Sequence, residues 1–198
     1  MSLARLKVLA GEIGLDHSLA LGLWASGWRD ARMLACFVDD PASVTPAQMD
    51  RWCRTFDNWG ICDTACFVLF DRTPHAWARV GTWARRKPEF ERRAAFALLW
   101  SLSVHDKAAP DRRFIAGLGL IERAATDDRR YVRLAVDMAL RAIGKRNPAL
   151  HKAALRVARR LGASADPSAS WVGRHAASEL ENPAVVRRVV AKGRRGRG

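Results

Sequence analysis

Apolar residues recur at helical intervals along nearly the whole chain, which makes the α-helix the element these residues can build. Phe96, Leu99 and Trp100 form one stripe, and Val132, Ala135, Val136, Ala139, Leu140 and Ile143 form another. No run alternates apolar and polar residues as a half-buried strand would. Prolines 41, 46, 74, 88, 110, 148, 167 and 183 fall between the periodic segments, where proline starts or separates helices instead of breaking them. Thr45-Pro46, Thr73-Pro74 and Asn147-Pro148 each read as an N-cap followed by proline at the first helical position. Asp39-Asp40-Pro41 and Ala165-Asp166-Pro167 read as turns.

A repeat lies over this periodicity. Arg93-Ala94-Ala95, Arg133-Leu134-Ala135 and Arg174-His175-Ala176 stand near the starts of apolar helices, at intervals of 40 and 41 residues. A period near 40 with two helices per unit predicts an all-α fold, a superhelical solenoid of HEAT-like antiparallel helix pairs with a concave groove lined by the second helix of each pair. About five pairs are expected, over 3–37, 46–70, 75–106, 111–146 and 149–181. The same reading gives one domain over 1–183 and a basic tail over 184–198, partly disordered, with six basic and no acidic residues from Arg187 onward.

Charge narrows the partner. Residues 1–84 carry 8 basic and 9 acidic residues, whereas residues 85–198 carry 26 and 11. The whole chain has a net charge of +14, and its excess lies in the later helices, so the expected groove is basic and suits a polyanion. Arg92, Arg93, Arg129, Arg130, Arg133, Arg141, Lys145, Arg146 and Arg174 recur near the ends of those helices, where phosphate contacts would be independent of base sequence. Cys36, Cys53, Cys62 and Cys66 form no CxxC pair, and the five histidines have no ligand spacing, so neither a metal nor a cofactor is expected. With no long apolar run and no signal peptide, a cytoplasmic monomer without membrane contact is expected, nucleoid-associated when bound to DNA.

One segment stands out chemically. In Asp57-Asn58-Trp59-Gly60-Ile61-Cys62-Asp63, a helix would place Trp59 and Asp63 one turn apart on one face. An indole face attracts cations, and a carboxylate stabilises positive charge developing nearby. Either residue alone could instead serve helix packing or the helix dipole.

Several stretches together resemble the DNA alkylation repair family of AlkD type. They are Leu21-Gly22-Leu23-Trp24-Ala25-Ser26-Gly27 followed by Asp30-Ala31-Arg32-Met33-Leu34-Ala35, the Trp59-to-Asp63 segment, Arg92-Arg93-Ala94-Ala95-Phe96-Ala97-Leu98-Leu99, and Ala139-Leu140-Arg141-Ala142-Ile143-Gly144-Lys145-Arg146-Asn147. The resemblance covers most of residues 5–180. It implies a HEAT-like fold and a DNA glycosylase that binds duplex DNA and removes cationic N3- or N7-alkylated purines. It further implies Asp63 as the catalytic carboxylate, Trp59 against the sugar and backbone of the lesion-bearing nucleotide, and Arg93 near the DNA backbone at that site, both supporting the catalysis. The family's second tryptophan, in a W-A-L-R segment, is replaced here by Met138 of Met138-Ala139-Leu140-Arg141, so one aromatic wall is lost. Two other readings stay open: a non-catalytic DNA-binding solenoid for damaged or structured DNA, and a protein-interaction scaffold.

Overall fold

The computed structural model describes residues 1–195. These residues form twelve α-helices: α1 (Leu3–Ile13), α2 (His17–Ala25), α3 (Arg29–Val38), α4 (Pro46–Arg54), α5 (Trp59–Thr64), α6 (Ala76–Trp83), α7 (Glu89–His105), α8 (Asp111–Ala124), α9 (Arg130–Gly144), α10 (Pro148–Gly162), α11 (Pro167–Leu180) and α12 (Pro183–Arg195). A π-helical turn, Ala65–Leu69, and a 3-10 turn, Phe70–Arg72, extend α5. No strand occurs among the described residues, and no helix there is long and apolar enough to cross a membrane. The chain divides into two compact units, Met1–Leu98 and Leu99–Gly198.

Local chemistry explains the starts and stops. Thr45, Asn147 and Asp166 cap α4, α10 and α11 by accepting from the backbone N–H groups of Gln48, Leu150 and Ala169, and a proline follows each cap. The Asp166-Pro167 turn is thus also a helix start. Thr73-Pro74 does not cap a helix as expected: the Thr73 hydroxyl donates to the Phe70 carbonyl 2.8 Å away and closes the preceding turn, and α6 begins only at Ala76. The first expected pair contains three helices instead of two. Gly14 (φ 78°) and Gly27 (φ 76°) occupy the left-handed region that other residues avoid, and they separate α1, α2 and α3. The remaining four pairs fall where the repeat places them.

In the first unit, Trp24 and Trp52 stack face to face with ring centroids 3.8 Å apart and planes 4° apart, and Phe56 meets Trp24 edge-on at 6.0 Å. Asp50 ties α4 to α6 by accepting from Trp83 Nε1 (2.7 Å), Arg79 Nη1 (2.7 Å) and Arg86 Nη2 (2.6 Å). Burial opposes ionisation of Asp50, but these donors outweigh it and hold the carboxyl below its usual range. Asp39 is buried beneath the turn it begins, with His17 Nδ1 at 2.6 Å and Gln48 Nε2 at 2.7 Å.

In the second unit, α10 and α11 approach so closely that their backbones meet at Gly162 and Gly173. A Cβ on Gly173 would strike Gly162 N and lie 2.5 Å from the Ala158 carbonyl oxygen. Residues 184–195, expected to belong to a tail, form most of α12, which buries Val185 and Val189 one turn apart. Gly193 of α12 faces Pro148 at the start of α10, where a Cβ would come within 2.6 Å of the proline ring. Residues 196–198 of that expected tail lie outside the described residues.

Candidate functional site

Helix α5 begins because Asn58 adopts an extended backbone (φ −151°) and its side-chain oxygen accepts from Ile61 N at 3.0 Å. Trp59 is therefore the first helical residue and Asp63 lies one turn further on. Ile61 and Cys62 face inward, which turns Trp59 outward, and it is 55% exposed.

Three contacts dock α5 and its π-helical extension onto the first half of α7. The thiols of Cys62 and Cys66 donate to the carbonyl oxygens of Phe90 (3.8 Å) and Ala94 (3.6 Å). Between these contacts, Arg93 grips Asp63 with both arms of its guanidinium, Nε to Oδ1 at 2.9 Å and Nη2 to Oδ2 at 2.7 Å. Arg93 is almost wholly buried, and the Asp63 side chain keeps 17% of its surface exposed. Burial pushes the Asp63 carboxyl above its usual range, and the hydrogen bonds and charge of Arg93 pull it part of the way back. The π-helical turn starting two residues after Asp63 is a form of helix often found at functional sites.

The cysteines are free and buried, and burial raises the Cys36, Cys53 and Cys66 thiols. Among the described residues, no group of three or more His, Cys, Asp or Glu could hold a metal ion.

Removing Arg93 gives a direct test of this pair. Arg93→Ala leaves a mostly buried carboxylate without its partner, and a loss of about 2–3 kcal/mol is expected at neutral pH. Because the folded-state pKa of Asp63 is raised, its ionised form opposes folding, and this handicap fades as pH falls through that raised value. The pair in the wild type is also lost on protonation. The stability gap between wild type and Arg93→Ala should therefore narrow between pH 7 and about pH 4 in urea titrations. A gap that widened toward acid would contradict the pairing.

The other residues predicted for nucleic acid separate into groups. Arg92 is half-buried on α7, while Arg130 and Arg174 are exposed on α9 and α11. Arg133 lies over the Trp171 ring at 4.8 Å, and His175 stacks on the same indole at 5.0 Å. Arg129 is committed to Asp127 of its own turn through Nε (2.8 Å) and Nη2 (2.6 Å). Arg141 joins Asp137 and Glu179, and Lys145 also pairs with Glu179. Arg146 donates to the Ser103 carbonyl at 2.8 Å and lies 3.9 Å over Phe114. Met138 is half-buried on α9. Asp137 and Glu179 were not anticipated as organisers of this surface; the four-residue spacing of Asp137 and Arg141 was the available signal.

Comparison with known proteins adds to this geometry. A sequence model of the family described as "DNA alkylation repair enzyme" matches residues 5–180. A solved structure described as belonging to "a new family of proteins related to the HEAT-like repeat DNA glycosylases with affinity for branched DNA structures" superposes with a TM-score of 0.79 at 18% identity, over 96% of this chain and 82% of that chain. The likeness gives the chain a HEAT-like repeat fold. No curated protein sequence matches the chain.

Proposed function

Because the chain belongs to the DNA alkylation repair enzyme family, we propose that it binds duplex DNA and hydrolyses the N-glycosidic bond of cationic N3- or N7-alkylated purines. The observation that carries this reading is the pairing of an exposed indole, Trp59, with a carboxylate one turn away that a buried arginine fixes in place.

An alkylated purine already carries a positive charge and leaves as a neutral base. As the C1′–N bond breaks, its electron pair goes to the purine and the sugar gains oxocarbenium character. Asp63 stabilises that charge and orients a water whose oxygen bonds to C1′, while the water's proton passes to the carboxylate or to solvent. Arg93 donates one hydrogen bond to each Asp63 oxygen, which leaves acceptor capacity on both. It acts as a positioning residue. Trp59 packs against the lesion-bearing sugar and favours the cation through its ring face. The backbone lies in a basic concave groove formed by the later helices. Arg130, Arg133 and Arg174 of the second unit meet phosphates there, Arg129, Arg141, Lys145 and Arg146 shape and charge the surface, Met138 lines it, and Arg92 of the first unit meets a phosphate of its own. The protein works as a monomer in the cytoplasm, at the nucleoid.

A second reading, a non-catalytic binder of damaged or structured DNA, draws on Met138. The side chain standing where the resemblance expects a second tryptophan supplies no aromatic wall, and the similar structure is described by affinity for branched DNA. One experiment separates the two. The wild-type chain is incubated with duplex containing N7-methylguanine or N3-methyladenine, and free base is measured by mass spectrometry beside binding to linear and four-way-junction DNA. Free base is expected. Binding of either DNA without release of either base would replace the first reading with the second.

A further inference from the structure

The second unit contains a cavity of about 530 Å3 that the chemistry at Asp63 does not use. Its wall includes Trp100 and Lys107 from α7 and the segment following it, Lys145, Arg146 and Asn147 from the turn between α9 and α10, and Lys192 from α12. Four of its lining side chains are cationic and none is a carboxylate.

Three of these cations donate to backbone oxygens. Lys192 Nζ donates to the Lys145 carbonyl at 2.7 Å, Lys107 donates to the Val104 carbonyl, and Arg146 donates to that of Ser103. The Arg146 Nε finds no hydrogen-bond partner. Carboxylates act on this wall from outside the lining: Glu179 pairs with Lys145 and Arg141, Asp111 accepts from Asn147, and the charges of Asp106 and Asp111 favour the cationic form of Arg146. Burial lowers the Lys192 pKa, and Lys107, Arg146, Arg188 and Lys145 lower it further by repulsion. Gly193 against Pro148 brings α12 close enough to α10 for Lys192 to complete the wall. Four cations gathered in a cavity whose lining holds no carboxylate favour a bound anion with several acceptor oxygens. Lys192 lies beyond the residues that match the family, 5–180.

We propose that this cavity holds a phosphate group of a nucleic-acid strand, gripped by Lys107, Lys145, Arg146 and Lys192, as an anchoring point separate from the Trp59–Asp63 site. The choice of a nucleic-acid phosphate rests on the DNA-binding reading above; the anion chemistry rests on the cavity alone. Lysine ammonium groups act as point charges without a fixed fork, so the anchor holds any sequence equally.

The test uses the full chain and an undamaged duplex, so its result does not depend on base release. Binding is measured by fluorescence anisotropy between 50 and 200 mM salt for wild type and for the double variant Lys107→Gln/Lys192→Gln. The variant should bind about tenfold more weakly, and its slope of log affinity against log salt should be shallower by about 1–2, the signature of lost phosphate contacts. Lys107→Arg/Lys192→Arg should restore most of both. Inorganic phosphate and pyrophosphate, titrated by calorimetry, distinguish a strand from a small free phosphate. Phosphate binding by wild type with unchanged DNA affinity and slope in the Gln variant would overturn the assignment to a strand. No phosphate binding together with unchanged DNA binding would overturn the site itself. Thermal melting verifies that each variant is folded, and Lys107→Gln alone serves if the double variant is not.

Discussion

Asp63→Asn is expected to lower single-turnover release of N7-methylguanine by about 100- to 1,000-fold, the range seen when one electrostatic contact to a charged transition state is removed. That corresponds to about 3–4 kcal/mol of barrier. The substitution keeps the shape of the side chain and removes its charge, which is the property a developing oxocarbenium ion needs. It also turns one oxygen facing Arg93 into an amide N–H2 group, so one of the two hydrogen bonds at 2.7–2.9 Å is lost and stability falls as well. Duplex affinity and the thermal midpoint must therefore be measured beside the rate. Retained binding with lost release supports Asp63 as the catalytic carboxylate. Release at an undiminished rate would remove it from the chemistry, whatever its role in stability.

Gly173→Ala is expected to destabilise the second unit by about 3–5 kcal/mol, at the upper end of what overpacking produces. The added methyl would meet backbone: Gly162 N, and at 2.5 Å the Ala158 carbonyl oxygen and the Leu161 carbonyl carbon. A side chain could swing aside, but two helix backbones can only move apart, and separation would loosen the packing of α10 against α11 along both helices. The mirror test is Gly162→Ala. Its nearest contacts are at 3.5 Å or more, so its effect should stay within about 1 kcal/mol. Equal urea midpoints for wild type and Gly173→Ala would mean that this crossing is looser than described.

Repeat period and helix content were legible because they rest on periodicity, which local burial imposes on every helix. Caps were legible where a side-chain oxygen followed by proline had a free helix start to serve, as at Thr45 and Asn147. At Thr73 the same pair was misleading, since its hydroxyl is used by the turn before it. The break between α1, α2 and α3 had a signal in Gly14 and Gly27, but a glycine that ends a helix looks the same in sequence as one inside it until its φ is known. The helical state of residues 184–195 was concealed by their charge, although Val185 and Val189 carry the right spacing.

At the site, the spacing of Trp59 and Asp63 was local and therefore readable. The grip of Arg93 on Asp63 joins residues 30 apart, so spacing did not supply it, and the family resemblance placed Arg93 only near the DNA backbone at that site. The Asp50–Arg86 contact and the lysine-lined cavity join still more distant parts of the chain, the Asp39 cluster joins His17 and Gln48 across two helices, and no motif announces any of them.

The parallel stack of Trp24 on Trp52 carries an optical consequence. Two indoles held 3.8 Å apart with planes 4° from parallel couple their electronic transitions, which alters their absorption and dichroism and depends steeply on their separation. Both rings belong to Met1–Leu98, so the signal reports on the packing of that unit. The protein thus contains its own spectroscopic probe, one that melts with the aromatic core beside the Trp59–Asp63 helix and stays silent when only α10 and α11 come apart.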